Sequence, residues 1–219
     1  NNGTITTSGT GSNLAITSAN LGDITFTNVA SSLPSKVYGA LTLGNGATAQ
    51  GNIIADNLVI SAGTYDANGH TTTVTNLLTL GAGTVYQAST AKQTFNGGLT
   101  LSGGTFTGST GAVDINGNLV LSNGTFTAPS GDFTVSGDWT ITGGTFDAGT
   151  GTLIFDGTTA ATYTDSTAGI QNIGDVVINK TDTVSPSANN TLTLASAMTC
   201  DTLTIDGTAG QADTLAIAG

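Results

Sequence analysis

Glutamate and arginine are absent from this 219-residue chain, and lysine occurs only at Lys36, Lys92 and Lys180. Glu, Lys and Arg are among the better helix formers. Their scarcity, with 32 glycines and abundant threonine, argues against helices and for strands and turns. All 14 acidic residues are aspartates, and the net charge is −11 with no basic patch to offset it. Such a surface repels phosphate backbones, so nucleic acid is excluded as a partner. No apolar run approaches the roughly 18 residues that a membrane-spanning helix requires. No signal-peptide pattern is visible, and Asn1 fits a mature N-terminus left by signal cleavage. Cys200 and His70 are each the sole residue of their type, which excludes an intrachain disulfide and an ordinary zinc set.

What is present is a repeat. An apolar–x–apolar unit recurs at Leu41–Leu43, Leu58–Ile60, Leu78–Leu80, Leu99–Leu101, Leu119–Leu121 and Trp139–Ile141, with successive spacings of 17, 20, 21, 20 and 20 residues. Five residues after the start of each unit comes Gly46, Gly63, Gly83, Gly104, Gly124 or Gly144. Next comes Thr64, Thr84, Thr105, Thr125 or Thr145, with Ala47 breaking the column, and then Tyr65, Val85, Phe106, Phe126 or Phe146. Gly111, Gly131 and Gly151 form a second turn column, and Gly117, Gly137 and Gly157 a third. One unit therefore reads as three short strands separated by glycine turns.

Alternation within each strand has period 2, which sends neighbouring side chains to opposite faces. The predicted core ladder is Leu99, Leu101, Phe106, Leu119, Leu121, Phe126, Trp139, Ile141 and Phe146. The predicted outward ladder is Thr64, Thr84, Thr105, Thr125 and Thr145, with Asp66, Tyr86, Thr107, Thr127 and Asp147 as a second row. A sandwich does not need residue types to recur at a fixed 20, and a propeller blade takes about 40 residues or more. The reading is an all-β, right-handed parallel β-helix (β-solenoid) with three short strands per coil and 10 or 11 coils. Residues 1–38 hold N-terminal strands, at Leu14–Ile16 and Ile24–Phe26, and a loop from Ser31 to Lys36. Residues 39–157 are regular coils. Residues 158–219 continue less regularly after a polar insertion from Thr158 to Gly169.

The stretch from Asn96 to Gly157, with units such as GGLTLSGGTFTGSTG and GNLVLSNGTFTAPSG, resembles repeats of large secreted bacterial surface proteins. These are adhesin-like and autotransporter-passenger-like β-helices. The resemblance implies an extracellular or cell-surface location and a scaffold rather than a catalyst.

Chemistry on such a scaffold needs specific groups. Glycoside hydrolysis needs two carboxylates facing each other across a cleft. Asp132, Asp138, Asp147 and Asp156 flank strands, mostly beside glycine, as turn-forming aspartates do. Polygalacturonase-like enzymes carry Gly-His-Gly with an Arg-x-Lys element; here His70 precedes Thr71 and arginine is missing. No catalytic residue and no cofactor is expected. Structural calcium is left open by the Asp-Gly turns, although the G-G-x-G-x-D repeat is lacking.

A β-helix end exposes unpaired backbone groups unless charge, proline or a cap covers it. Thr4, Ile5 and Thr6 carry no charge, and Leu215 and Ile217 have only Asp213 nearby. The expectation is a structural protein forming head-to-tail homopolymers. The alternative is an adhesin passenger whose side face contacts a glycan or a neighbouring cell.

Overall fold

The computed structural model describes residues 5–7, 20–27, 31–181, 191–206 and 213–218. Thr4 and the strand expected at Leu14–Ile16 lie outside them. Every regular element among the described residues is a strand, and all strand pairs are parallel. No helix long and apolar enough to cross a membrane occurs among these residues.

The chain winds as a β-solenoid with three faces. Face A stacks nine strand segments, running from Lys36–Tyr38 through Val113–Ile115 to Thr202–Ile205. Face B carries eleven segments in two paired runs, from Ile5–Thr7 to Leu58–Ile60 and from Leu78–Leu80 through Leu99–Leu101 to Thr214–Ile217. Face C stacks seven, from Ser31–Leu33 through Thr105–Thr107 to Thr145–Asp147. Counting apolar–x–apolar units finds face B, which explains the expectation of 10 or 11 coils. A full turn also needs face A, so the stack has about nine turns, roughly 40 Å at one strand spacing per turn.

Each face alternates as a half-buried strand should. Val113–Ile115, Phe133–Val135 and Trp139–Ile141 all bury both ends and leave the middle residue toward the outside. The interior is one continuous apolar column from Ile24 to Leu194. At its centre rings stack coil on coil. Tyr65 meets Tyr86 at 5.0 Å between centroids, Tyr86 meets Phe106 at 5.3 Å, and Phe106 meets Phe126 at 4.6 Å.

Two stretches depart from the sequence reading. Ser31 to Lys36 is not a loop, because Ser31–Leu33 forms a strand and Lys36 opens another, with only Pro34 and Ser35 between them. The insertion from Thr158 to Gly169 contains the strand Ala161–Asp165, whose Tyr163 pairs with Trp139. Ala161, Tyr163 and Asp165 alternate inward, so a hydroxyl-rich sequence conceals a face B rung.

The glycine turns follow from how closely successive coils approach. At Gly124 φ is +92°, and a Cβ would collide with the Gly104 carbonyl oxygen. Both the left-handed backbone and that contact demand glycine. Gly124→Ala is expected to lose about 1–3 kcal/mol, a strain-and-overpacking effect readable as a lowered denaturation midpoint. An unchanged midpoint would show that the turn relaxes freely.

Candidate functional site

Among the described residues no concave centre of converging reactive groups emerges, so the candidate surfaces are the outward rows, one coil corner and the C-terminal edge. On face C the first outward row is Thr64, Val85, Thr105, Thr125 and Thr145. Thr64 and Thr145 are exposed, and Thr105 and Thr125 are half-buried. Thr84 does not belong to this row. It is buried and its Oγ1 donates to the Gly81 carbonyl at 2.7 Å. Four residues, Gly81 to Thr84, separate Leu80 from Val85, where the neighbouring coils place three between Ile60 and Thr64 and between Leu101 and Thr105, and this moves the strand along by one position. Tyr86 therefore takes the inward place expected of Val85, and Gln87 joins the second row between Asp66 and Thr107.

That slip fits a pairing rule inside the coils. Tyr65 shares a hydrogen bond of 2.7 Å with Thr72, seven residues on, and Tyr86 donates to Gln93 Oε1 at 2.6 Å, again seven residues on. The Gln93 amide donates to the His70 and Ala91 carbonyls and to Ser89 Oγ. The next coils set Phe106, Phe126 and Phe146 seven residues before Val113, Phe133 and Leu153, all buried. A phenol on face C thus brings a polar partner on face A, and a phenyl ring an apolar one. Buried polar groups without partners are costly, so the two positions must change together.

The core ladder residues Leu99, Leu101, Phe106, Leu119, Leu121, Phe126, Trp139, Ile141 and Phe146 all lie inside the stack. On face A, Lys92 Nζ pairs with Asp114 Oδ2 at 2.7 Å, and Thr134 Oγ1 donates to Asp114 Oδ1 at 2.8 Å. At the corner after face A, Asn76 donates to Asn57 and Asn116 donates to Asn96, an amide ladder that pattern reading missed.

The aspartates serve mainly as turn and bridge acceptors. Asp66 accepts from the Asn68 N–H, Asp147 from Gly149, and Asp138 from Thr162. Asp165 is buried and accepts the N–H groups of Thr167 and Gln171, which folds the segment between them. Asp156 accepts from Ser136 Oγ at 2.6 Å, and burial pushes its carboxyl up from the usual range. Asp132 is exposed. Among the described residues no three His, Cys or Asp side chains gather as a metal ion would require. His70 closes a turn: Asn68 has φ of 47°, and the His70 N–H donates to the Ala67 carbonyl. Cys200 is a free, half-buried thiol, and burial raises its pKa.

One open, shallow depression of about 300 Å³ lies at the corner after face C, lined by Gly108, Ser109, Thr110, Ala128, Ser130, Gly149 and Thr150. Its walls are hydroxyl side chains, glycine backbone and the Ala128 methyl, with no ionisable group.

The C-terminal edge is chemically different. Leu203, Ile205 and Ile217 occupy inward register positions over Val176, Ile178 and Leu194. Those three are covered, yet Leu203 is 41% exposed, Ile205 46% and Ile217 79%. Leu215 is half-buried. Among the described residues Thr202–Ile205 and Thr214–Ile217 are each paired on one side only. At the other end, among the described residues Ile5–Thr7 pairs with Ile24–Phe26 alone, so that Ile5 shares the register of Ile24 and Thr6 that of Thr25.

The fold defines the class: a parallel β-solenoid repeat protein. No known family model matches the chain, and neither a curated protein nor a solved structure matches it.

Proposed function

We propose that this chain is a non-catalytic structural protein of a bacterial cell surface, which extends by strand pairing between the ends of successive solenoids. The supporting observation is the uncovered inward row Leu203, Ile205 and Ile217 beside two open strand edges. Apolar side chains at core positions and unpaired strand edges both favour another parallel coil. Ile5–Thr7 lies on face B with the same strand sense as Thr214–Ile217, so one copy's first rung continues another's last. A contact between unlike ends does not close on itself and generates a filament. Secretion and a surface location rest on the resemblance of the repeat.

The test is electron microscopy and solution mass of the purified 219-residue chain, with and without Leu203→Asp and Ile217→Asp. Filaments of the unaltered chain, lost in the double variant, are expected. A stable monomer at high concentration would defeat the reading and assign this edge to further coils of a longer chain. A second reading, a glycan-contacting side face, is favoured by the hydroxyl-lined depression at Thr110, Ser130 and Thr150. Glycan-array binding lost on Ser130→Tyr would establish it.

A further inference from the structure

Lys180 is 2% exposed and stands where the preceding coils carry Gly137 and Gly157. Each of these residues comes two positions after the last inward residue of its face A strand, namely Val135, Phe155 and Ile178. The Lys180 ammonium reaches backward along the corner. Nζ donates to the Asp156 carbonyl at 2.5 Å and to the Ser136 carbonyl at 3.3 Å, in the two preceding coils. Its backbone N–H donates forward to Asp213 Oδ2 at 3.2 Å, immediately before the strand Thr214–Ile217. One residue thereby ties its own coil to two behind it and one ahead.

The charged neighbours are Asp156, Asp138 and Asp213, each on a different coil. Burial lowers the ammonium pKa, and these three carboxylates push it back up. A buried ammonium is tolerated where carbonyl and carboxylate oxygens surround it. Nothing in the regular coils needs such a group, because glycine turns suffice there.

We propose that Lys180 is an internal strut that holds the last coils in register on the regular stack, and so presents the open edge for end-to-end pairing. The strut stands on its own contacts; the pairing clause rests on the function proposed above.

Hydrogen exchange of the full chain tests it. Lys180→Met keeps the aliphatic stem and removes the ammonium. It is expected to speed exchange roughly tenfold or more in residues 191–206 and 213–218, with residues 93–155 exchanging as in the parent. Unchanged exchange at the C-terminal coils, or equal acceleration throughout, overturns the strut. If Lys180→Met yields no folded protein, Asp213→Asn is read the same way, with local acceleration supporting the strut and none overturning it. Electron micrographs separate the two claims. If the parent forms no filaments, the end-to-end reading fails while the exchange result stands. If exchange changes locally but filaments are unaffected, the link from strut to assembly is overturned.

Discussion

The solenoid is expected to unfold cooperatively as the pH rises from 10 toward 12. All four tyrosines, Tyr38, Tyr65, Tyr86 and Tyr163, are enclosed in the core. Burial pushes the Tyr38 hydroxyl up to about 12 and raises the other three as well. An unfolded chain ionises its phenols near pH 10. The folded chain keeps those protons, so it binds more protons than the unfolded one throughout this window. Stability is therefore fully present below pH 10 and is lost as pH rises through the folded values. The loss is about 1.4 kcal/mol per tyrosine for each pH unit. Four together lose about 5 kcal/mol per unit, which is comparable with the whole stability of a small domain. Lys180 acts in the opposite sense at lower pH: its folded pKa is depressed, so stability rises with pH until the unfolded lysine also deprotonates near 10.5. Tyrosinate absorbance and circular dichroism, followed together against pH, decide the matter. They should change in one transition above pH 10. Phenolate absorbance rising near pH 10 with the β signal intact would refute the prediction.

The tyrosine positions also show where reading the sequence stops. The face B units, the glycine columns and the rings of Phe106, Phe126 and Phe146 recur at a fixed spacing, so their burial was legible. Tyr86 was not, because the rule of glycine, then threonine, then a large residue pointed to Val85. The correcting signal was already in the chain. Leu78 to Leu99 spans 21 residues instead of 20, and seven residues separate Tyr86 from Gln93 just as seven separate Tyr65 from Thr72. Matching each ring to its partner on the next face would have fixed the register. Lys180 and Asp165 are a different case. Alternation says which way a side chain points, but what a buried charge bonds to depends on carbonyls and amides of other coils. Those partners become neighbours only through the winding, 24 and 44 residues back for Lys180. The C-terminal edge was partly legible. The low charge around Leu215 and Ile217 marked it, while the exposure of Leu203 and Ile205 needed the register to be known.

Phe126→Ala is expected to be the most damaging single core truncation, with a loss of about 3–5 kcal/mol. Phe126 lies between Phe106, 4.6 Å away and stacked at 11°, and Phe146, 5.6 Å away, while Phe133 closes on it at 5.2 Å. Removing the ring opens a cavity against three aromatic neighbours at once. The backbone cannot collapse to fill it, because strand pairing fixes Phe106, Phe126 and Phe146 at one rung spacing on face C. In a solenoid the ring packing of a coil is with its immediate neighbours, so the loss falls mainly on the two interfaces that this coil makes. The array should weaken at that point more than elsewhere. Trp139 reports on the C-terminal side, since its ring lies 4.9 Å from Phe146 and 6.0 Å from Phe133. In denaturant, Trp139 fluorescence of the variant should change at a lower concentration than the total β signal, whereas the parent should show one transition for both. Phe126→Leu keeps most of the volume and should fall between the two. If Phe126→Ala unfolds within about 0.5 kcal/mol of the parent, as a surface change would, Phe126 does not support the stack and the column is not its mechanical centre.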